Sequence, residues 1–208
     1  MKTFLLTFAV LCAFSCASAQ DIQLPKPVRT GGKPLMDALN LRQSARQFDT
    51  GKQLSNQTLS NLLWAAWGFN RENKRTAPSS MNRQEIDLYA VTKDGIYKYD
   101  AAANTLVLIV KGDYRKDTGM QPFVEEAPLN IVFVCNKSKV QAKTDNQLIE
   151  ATYANSGFIS QNIYLFCASE GLSTVIRGSV PKDKLAKIMQ LTNDQLITLA
   201  QTVGYPKN

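Results

Sequence analysis

The pattern of hydrophobic and polar positions along this 208-residue chain separates stretches with a helical period from stretches typical of strands. Apolar residues that recur every three or four positions predict amphipathic helices. The hydroxyl group of Ser55 is expected to cap the N-terminus of one of these helices. Gly171 is expected to end another. The predicted helices are residues 35–41, 56–67, 145–170 and 181–189.

Short apolar runs between the helices predict strands. Residues 93–95, Lys-Asp-Gly, form a hairpin signal between two of them. The unbroken apolar run at 129–135 is typical of a central strand, whose two faces are both buried. The predicted strands are residues 86–91, 96–99, 106–110, 129–135, 174–180 and 196–203.

Together these elements predict an α+β fold, in which a mostly antiparallel sheet is packed by helices that include one long central helix. Residues 20–34 are rich in proline and glycine and are expected to form an extended arm. Residues 35–208 are expected to form one domain, within which residues 70–82 are predicted to be a polar loop.

The first nineteen residues have the composition of a secretory signal peptide. Lys2 is followed by an apolar run over residues 4–14, which is shorter than the roughly 20 residues that a membrane-spanning helix needs. Ala17 and Ala19 then provide the small residues of a cleavage site before Gln20. We therefore expect an exported, periplasmic protein without a transmembrane segment in the mature chain. Lipid anchoring at Cys16 is the alternative.

Composition restricts the chemistry of the domain. The formal net charge is +7, but the basic residues are scattered and do not predict a nucleic-acid-binding face. The chain has no histidine, which excludes Ser-His and Cys-His nucleophilic machinery and disfavours a catalytic metal site. Cys135 and Cys167 lie in apolar runs and are expected to be buried thiols, with a disulfide as the alternative in an oxidising compartment. If the protein is an enzyme, a cofactor is expected to supply its chemistry.

Two segments carry candidate binding chemistry. Residues 42–46, of sequence Arg-Gln-Ser-Ala-Arg, hold two guanidinium groups four positions apart, which would share one side of a helix end and could grip a phosphate. Residues 76–84 are dense in hydroxyl and amide groups that can hydrogen-bond a flat, polar-edged heterocycle. Taken singly, each segment also fits a structure without a binding role. Residues 42–46 could be a solvated helix end, and residues 76–84 could be a hydrogen-bonded turn.

The order and spacing of these segments, followed by a Gly-Leu-Ser-Thr element at 171–174 and a Gly-Tyr-Pro element at 204–206, resemble the FMN-dependent nitroreductase family. Residues 62–68, 75–79 and 95–99 resemble the branch of that family that contains SagB-type peptide-azoline dehydrogenases. The resemblance implies a homodimer with one FMN in each of two interface clefts. It also implies that a small-molecule donor and an acceptor use the flavin in turn, in a ping-pong reaction.

The resemblance assigns roles residue by residue. Arg42, Gln43 and Ser44 would contact the FMN phosphate, and Arg46 would lie near the pyrimidine edge of the flavin. The 78–84 loop would come from the partner subunit, and Glu170 with Gly171 would lie near the reactive edge. Many relatives have a further C-terminal basic residue, for which Lys207 or Arg177 could substitute. The predicted cofactor-binding residues are Arg42, Gln43, Ser44, Arg46, Pro78, Ser79, Ser80, Asn82, Gln84, Glu170, Gly171, Leu172 and Lys207.

Three functions remain open at this point. The first is an FMN-dependent oxidoreductase that reduces a small conjugated or nitroaromatic acceptor or dehydrogenates a peptide-like substrate. The second is an exported protein that binds a flavin or another planar ligand without turnover, because nicotinamide donors are normally cytoplasmic. The third is a structural dimer that has lost the cofactor.

Overall fold

The computed structural model describes residues 20–207. The expected signal peptide, its cleavage site, Cys16 and Asn208 lie outside the described residues. The strands are β1 (Ile22–Gln23), β2 (Phe69–Arg71), β3 (Lys74–Arg75), β4 (Ile86–Val91), β5 (Gly95–Asp100), β6 (Thr105–Lys111), β7 (Leu129–Asn136), β8 (Ser173–Arg177) and β9 (Gln195–Gly204). The helices are α1 (Leu35–Leu41), α2 (Asn56–Trp67), α3 (Phe123–Glu126), α4 (Asp145–Glu170) and α5 (Lys182–Ile188).

Seven of these strands form one sheet in the order β1-β6-β5-β4-β7-β9-β8, and every hydrogen-bonded pair in it is antiparallel. The long helix α4 packs across this sheet and contacts α1 and α2 on its way. The architecture confirms the predicted α+β fold with an antiparallel sheet and one long helix.

Strand β7 lies at the centre of the core, as its unbroken apolar sequence predicts. Ile131 and Phe133 are fully buried in one cluster with Ile163 of α4. The alternate residues Val132 and Val134 are fully buried on the opposite face, in a cluster with Leu185 of α5. Because successive side chains of a strand point to opposite faces, a strand covered on both faces must be apolar at every position.

The boundaries of α2 and α4 follow from their capping residues. The Ser55 hydroxyl accepts the Thr58 amide at 3.0 Å and begins α2. Gly171 has the left-handed backbone conformation (φ 69°, ψ 29°) that ends α4. The Leu172 amide then reaches back to the Cys167 carbonyl oxygen at 2.8 Å, which completes a Schellman motif. Both helices have the predicted bounds.

The arm is fastened to the domain by hydrogen bonds to α2 and α4. Leu24 is buried. The Ser60 hydroxyl donates to the Pro25 carbonyl oxygen at 2.5 Å, and the Lys33 amide donates to Ser169 Oγ at 2.8 Å. The arm therefore runs from the sheet edge at β1 to the last turn of α4.

Two expectations about local structure are wrong. The predicted polar loop 70–82 contains a β-hairpin of β2 and β3, which turns at Asn73 with φ 50°. The strand predicted over 174–180 ends at Arg177, because the chain then turns away from β9, with the Val180 amide donating to the Gly178 carbonyl oxygen at 2.9 Å. Within residues 20–207, no helix has the length and apolar character needed to cross a membrane.

The two cysteines of the domain are free thiols, and both are buried. Burial raises the pKa of the Cys135 thiol to about 12 and that of Cys167 further in the same direction. Since the thiolate is the reactive species, neither cysteine should react with an aromatic disulfide reagent at pH 8 in the folded protein.

Thiol titration of the chain from Gln20 tests this expectation. We expect no fast reaction under native conditions and two reactive thiols in concentrated urea. A denatured protein that shows thiols only after reduction would instead establish a disulfide.

Candidate functional site

Residues 42–49 form an extended segment that is held at both ends by the sheet. The Ala45 amide donates to the Thr174 carbonyl oxygen of β8 at 3.0 Å. Phe48 forms an antiparallel bridge with Pro206, and the Asp49 amide donates to the Tyr205 carbonyl oxygen at 2.9 Å. The segment therefore brings residues 42–46 beside the Gly-Leu-Ser-Thr element and the end of the chain.

The expectation that residues 42–46 lie at a helix end is wrong. Helix α1 ends at Leu41, and Arg42 already has an extended backbone (φ −60°, ψ 120°). In an extended segment the side chains of alternate residues share a side, so Arg42, Ser44 and Arg46 can still lie on one side, but spread along an extended chain. Arg46 is exposed.

Arg42 and Ser44 meet on the side chain of Tyr164, in the last third of α4. The Arg42 guanidinium carbon lies 5.4 Å from the centre of the Tyr164 ring, within the range of a cation–π interaction. Ser44 Oγ lies 2.8 Å from Tyr164 Oη. The tyrosine ring is 6% exposed. A cation and a hydroxyl group, the donors expected for a phosphate, are thus gathered at one place.

Tyr164 is also part of the wall of a cleft of about 360 Å³. The cleft lies between the extended segment, the last turn of α4 and the start of β8. Among the predicted binding residues, Gln43, Gly171 and Leu172 line it. Gly171 leaves its rim without a side chain. Lys207 is exposed and follows Pro206, another lining residue.

Glu170 faces a different cleft, of about 450 Å³. Its carboxylate accepts the Ser169 hydroxyl at 3.2 Å. The arm, Trp64 and Thr76 also line this second cleft. Glu170 thus lines one cleft, and its chain neighbours Gly171 and Leu172 line the other.

The 78–84 loop is not brought to either cleft within one chain. Of the sequence-predicted segment 76–84, only Thr76 lines a cleft. Pro78 and Ser80 are exposed, and Ser79 is half-buried. Single-chain geometry thus assembles the phosphate-binding segment with the Gly-Leu element and leaves this loop apart.

The same loop has an unusual backbone. Met81, Asn82 and Gln84 have φ of 52°, 57° and 50°, in the left-handed region that costs a non-glycine residue roughly 1–2 kcal/mol. Hydrogen bonds hold this conformation: Ser79 Oγ accepts the Gln84 amide at 3.0 Å, and Asn82 Nδ2 donates to the Asn73 carbonyl oxygen at 3.0 Å. Such strain is concentrated at functional sites, which supports a binding role for the loop.

Arg75 holds the 78–84 loop through its contact with Gln84. Its Nε donates to Gln84 Oε1 at 2.8 Å, and its guanidinium lies over the rings of Phe69 and Trp67 at 4.0 and 5.1 Å. Burial lowers the pKa of Arg75 from its ordinary value.

Comparison with known proteins identifies the family. The sequence model of the nitroreductase family matches residues 39–205. The chain belongs to the nitroreductase family. A predicted nitroreductase of Ralstonia eutropha of known structure is 40% identical, covers 100% of this chain and 97% of its own, and superposes with a TM-score of 0.87.

Two more distant proteins are also similar to this chain. A predicted nitroreductase of Methanocaldococcus jannaschii is 25% identical over 86% of this chain and 94% of its own length. The NADPH:FMN oxidoreductase of Vibrio harveyi, solved with NAD⁺, is 19% identical, covers 84% of this chain and 69% of its own, and has a TM-score of 0.63.

Within this nitroreductase, the idea that Arg177 substitutes for a C-terminal phosphate ligand is wrong. Its guanidinium is buried, and its Nε, Nη1 and Nη2 donate to Thr202 Oγ1, the Thr118 carbonyl oxygen and Asn130 Oδ1 at 3.1, 2.7 and 3.0 Å. Burial lowers its pKa to about 10. Arg177 is a structural residue that joins β8, β9, β7 and the turn before α3.

Sequence reasoning missed Tyr164 and Arg75 as residues that organise the 42–46 and 78–84 segments. Tyr164 lies in an apolar part of α4, where an aromatic residue is expected to be buried in the core. Its hydroxyl group was the only sequence signal of a polar contact. Among the described residues, no group of three or more acidic, cysteine or histidine side chains is placed to hold a metal ion.

Replacing Arg177 by glutamine should destabilise the protein, because the shorter side chain has only two N–H donors and at least one of the three buried acceptors would lose its donor. We expect the free energy of unfolding in urea to fall by at least about 2 kcal/mol. Lys207→Gln, at the exposed alternative position, is the control and should change stability by less than about 0.5 kcal/mol. Equal midpoints for Arg177→Gln and the unchanged protein would contradict this structural role.

Proposed function

We propose that this nitroreductase is an FMN-dependent oxidoreductase whose flavin occupies the 360 Å³ cleft at the end of α4. The observation that carries the proposal is that Arg42 and Ser44 both contact Tyr164, which lines that cleft, while Arg42 and Ser44 lie beside the cleft and outside its lining. A guanidinium and a hydroxyl group are the donors that a phosphate monoester needs. Family membership supports a flavin as the rest of the ligand.

The residues present fit this cofactor. Arg42 and Ser44 would hold the phosphate, with Gln43 beside them and Lys207 near by. Gly171 and Leu172 would back the ring, where the absent side chain of Gly171 allows close approach to the backbone. Arg46 would present its cation to the pyrimidine edge and stabilise negative charge there. Bound FMN would supply the redox chemistry, taking a hydride from a donor and passing electrons to an acceptor.

Each site is proposed to need two copies of the chain. The strained 78–84 loop, with Pro78, Ser79, Ser80, Asn82 and Gln84, would reach the flavin of the partner subunit. Exposed apolar side chains support a second copy as the occupant of the α1 and α4 surface: Leu35, Met36, Leu39 and Leu41 are 42–68% exposed, and Phe158 is 48% exposed. Ala154 and Gly157, beside Phe158, let another helix approach closely.

The acceptor is proposed to be a small conjugated or nitroaromatic molecule. Resemblance to the SagB-type branch favours, as a variant of the same chemistry, dehydrogenation of a peptide-like substrate. Export through the 1–19 segment would place the enzyme in the periplasm.

The first test is the absorbance spectrum of the chain from Gln20 after addition of FMN and gel filtration. We expect flavin absorbance to elute with a peak of dimer size and to bleach when a reductant is added. Turnover is then measured with NADH or NADPH and a nitroaromatic acceptor.

The outcomes separate the candidate functions. A colourless protein that takes up no FMN would exclude the proposal. Tight binding of FMN that neither nicotinamide donor nor a dithiol reduces would favour the exported flavin-binding protein without turnover.

Arg42→Ala should weaken FMN binding by about 10- to 100-fold, because a charge-assisted hydrogen bond to the phosphate is lost. Riboflavin, which has no phosphate, should bind the variant and the unchanged protein alike. Fluorescence titration with both flavins measures the two affinities. Lys52→Ala, which removes an exposed cation that lies over Tyr205, is the control and should leave both unchanged.

A further inference from the structure

We infer that Tyr164 is the positioning residue of the phosphate site, and that it sets the proton of the Ser44 hydroxyl so that this group donates to the ligand. The inference rests on the proposed function, because it concerns the same anion. Its basis is which of the groups around Tyr164 Oη can donate a hydrogen bond and which can accept one.

Tyr164 Oη has two neighbours with different capabilities. The Ile176 amide of β8 lies 3.0 Å away and can only donate, so Oη accepts from it. Ser44 Oγ lies 2.8 Å away and can donate or accept. Among the hydrogen bonds of residues 20–207, Ser44 Oγ is the acceptor within reach of the phenol proton.

Since Oη already accepts from the Ile176 amide, the arrangement that gives the phenol proton an acceptor directs it to Ser44 Oγ. Ser44 then acts as an acceptor toward the protein and has its own proton free to donate outward. A hydroxyl group with this polarity suits an anion, which only accepts hydrogen bonds, and its donor strength rises because the phenol polarises it.

The Tyr164 ring restrains the second phosphate donor, the Arg42 guanidinium. Arg42 lies over the ring face, which limits where the guanidinium can move without using any of its five N–H donors. One buried side chain on a rigid helix thus contacts both a cation and a hydroxyl group and restrains the two. Fixing them before the ligand arrives lowers the entropic cost of binding.

The test is Tyr164→Phe, which keeps the ring under Arg42 and removes only Oη. We expect the FMN dissociation constant to rise about tenfold and the riboflavin constant to change less than about twofold. If Tyr164 acts through Ser44, Ser44→Ala should weaken FMN similarly, and the double variant should be little worse than Ser44→Ala alone.

Tyr153→Phe is the matched control, because Tyr153 is on the same helix and its hydroxyl accepts Lys182 Nζ at 2.6 Å, away from the cleft. It should leave the affinity for both flavins unchanged. Equal losses of FMN and riboflavin affinity in Tyr164→Phe would show a merely structural role and overturn the inference, as would additive effects in the double variant.

The proposed function and this inference fail in different ways. An unchanged protein that bound neither flavin would overturn both. An unchanged protein that preferred FMN, with the same preference in Tyr164→Phe, would overturn the inference alone.

Discussion

The end of α4 is the constraint on which the candidate site depends. A helix of 26 residues that crosses the sheet must reverse into edge strand β8 within a few residues, and only the left-handed backbone at Gly171 allows this turn. The Schellman bond from Leu172 to Cys167 fixes the last turn of the helix against the start of the strand. The cleft is the space between these two elements and the extended segment 42–49.

The extended segment completes the arrangement because the sheet holds it rather than α1. Its bonds to Thr174 and Tyr205 set its register, and that register decides that Arg42 and Ser44, rather than Arg42 and Arg46, approach Tyr164. The exposed Arg46 and Lys207 are then free to meet a ligand or a second chain. The strained 78–84 loop lies outside this arrangement and does not line the cleft within one chain.

Local signals were enough to predict the elements whose limits are set by capping and burial. Ser55 and Gly171 define helix ends through their own side chain or backbone, and β7 is apolar at every position because both its faces are covered. The family resemblance rests on motifs and needed no geometry. The α+β architecture could be predicted from the helix and strand patterns together with this resemblance.

Long-range pairing determined what the sequence could not predict. A helical spacing and an extended spacing both fit residues 42–46, and only the pairing of Ala45 with Thr174 decides between them. Arg177 looks like an available cation in the sequence, but three neutral acceptors from distant segments surround it. The sequence predicts Tyr164 to be an ordinary core aromatic residue. The hydrogen-bond partners of its hydroxyl group come from β8 and the extended segment, which are distant in the chain.

In the proposed dimer, one flavin site combines the 42–46 segment of one chain with the 78–84 loop of another. Heterodimers purified through two different tags, one chain carrying Arg42→Ala and the other Ser79→Ala with Asn82→Ala, test it most directly. Each variant homodimer should retain little FMN, whereas the heterodimer has one intact site and should retain about one FMN per dimer. A heterodimer that bound no more FMN than either homodimer would contradict the account.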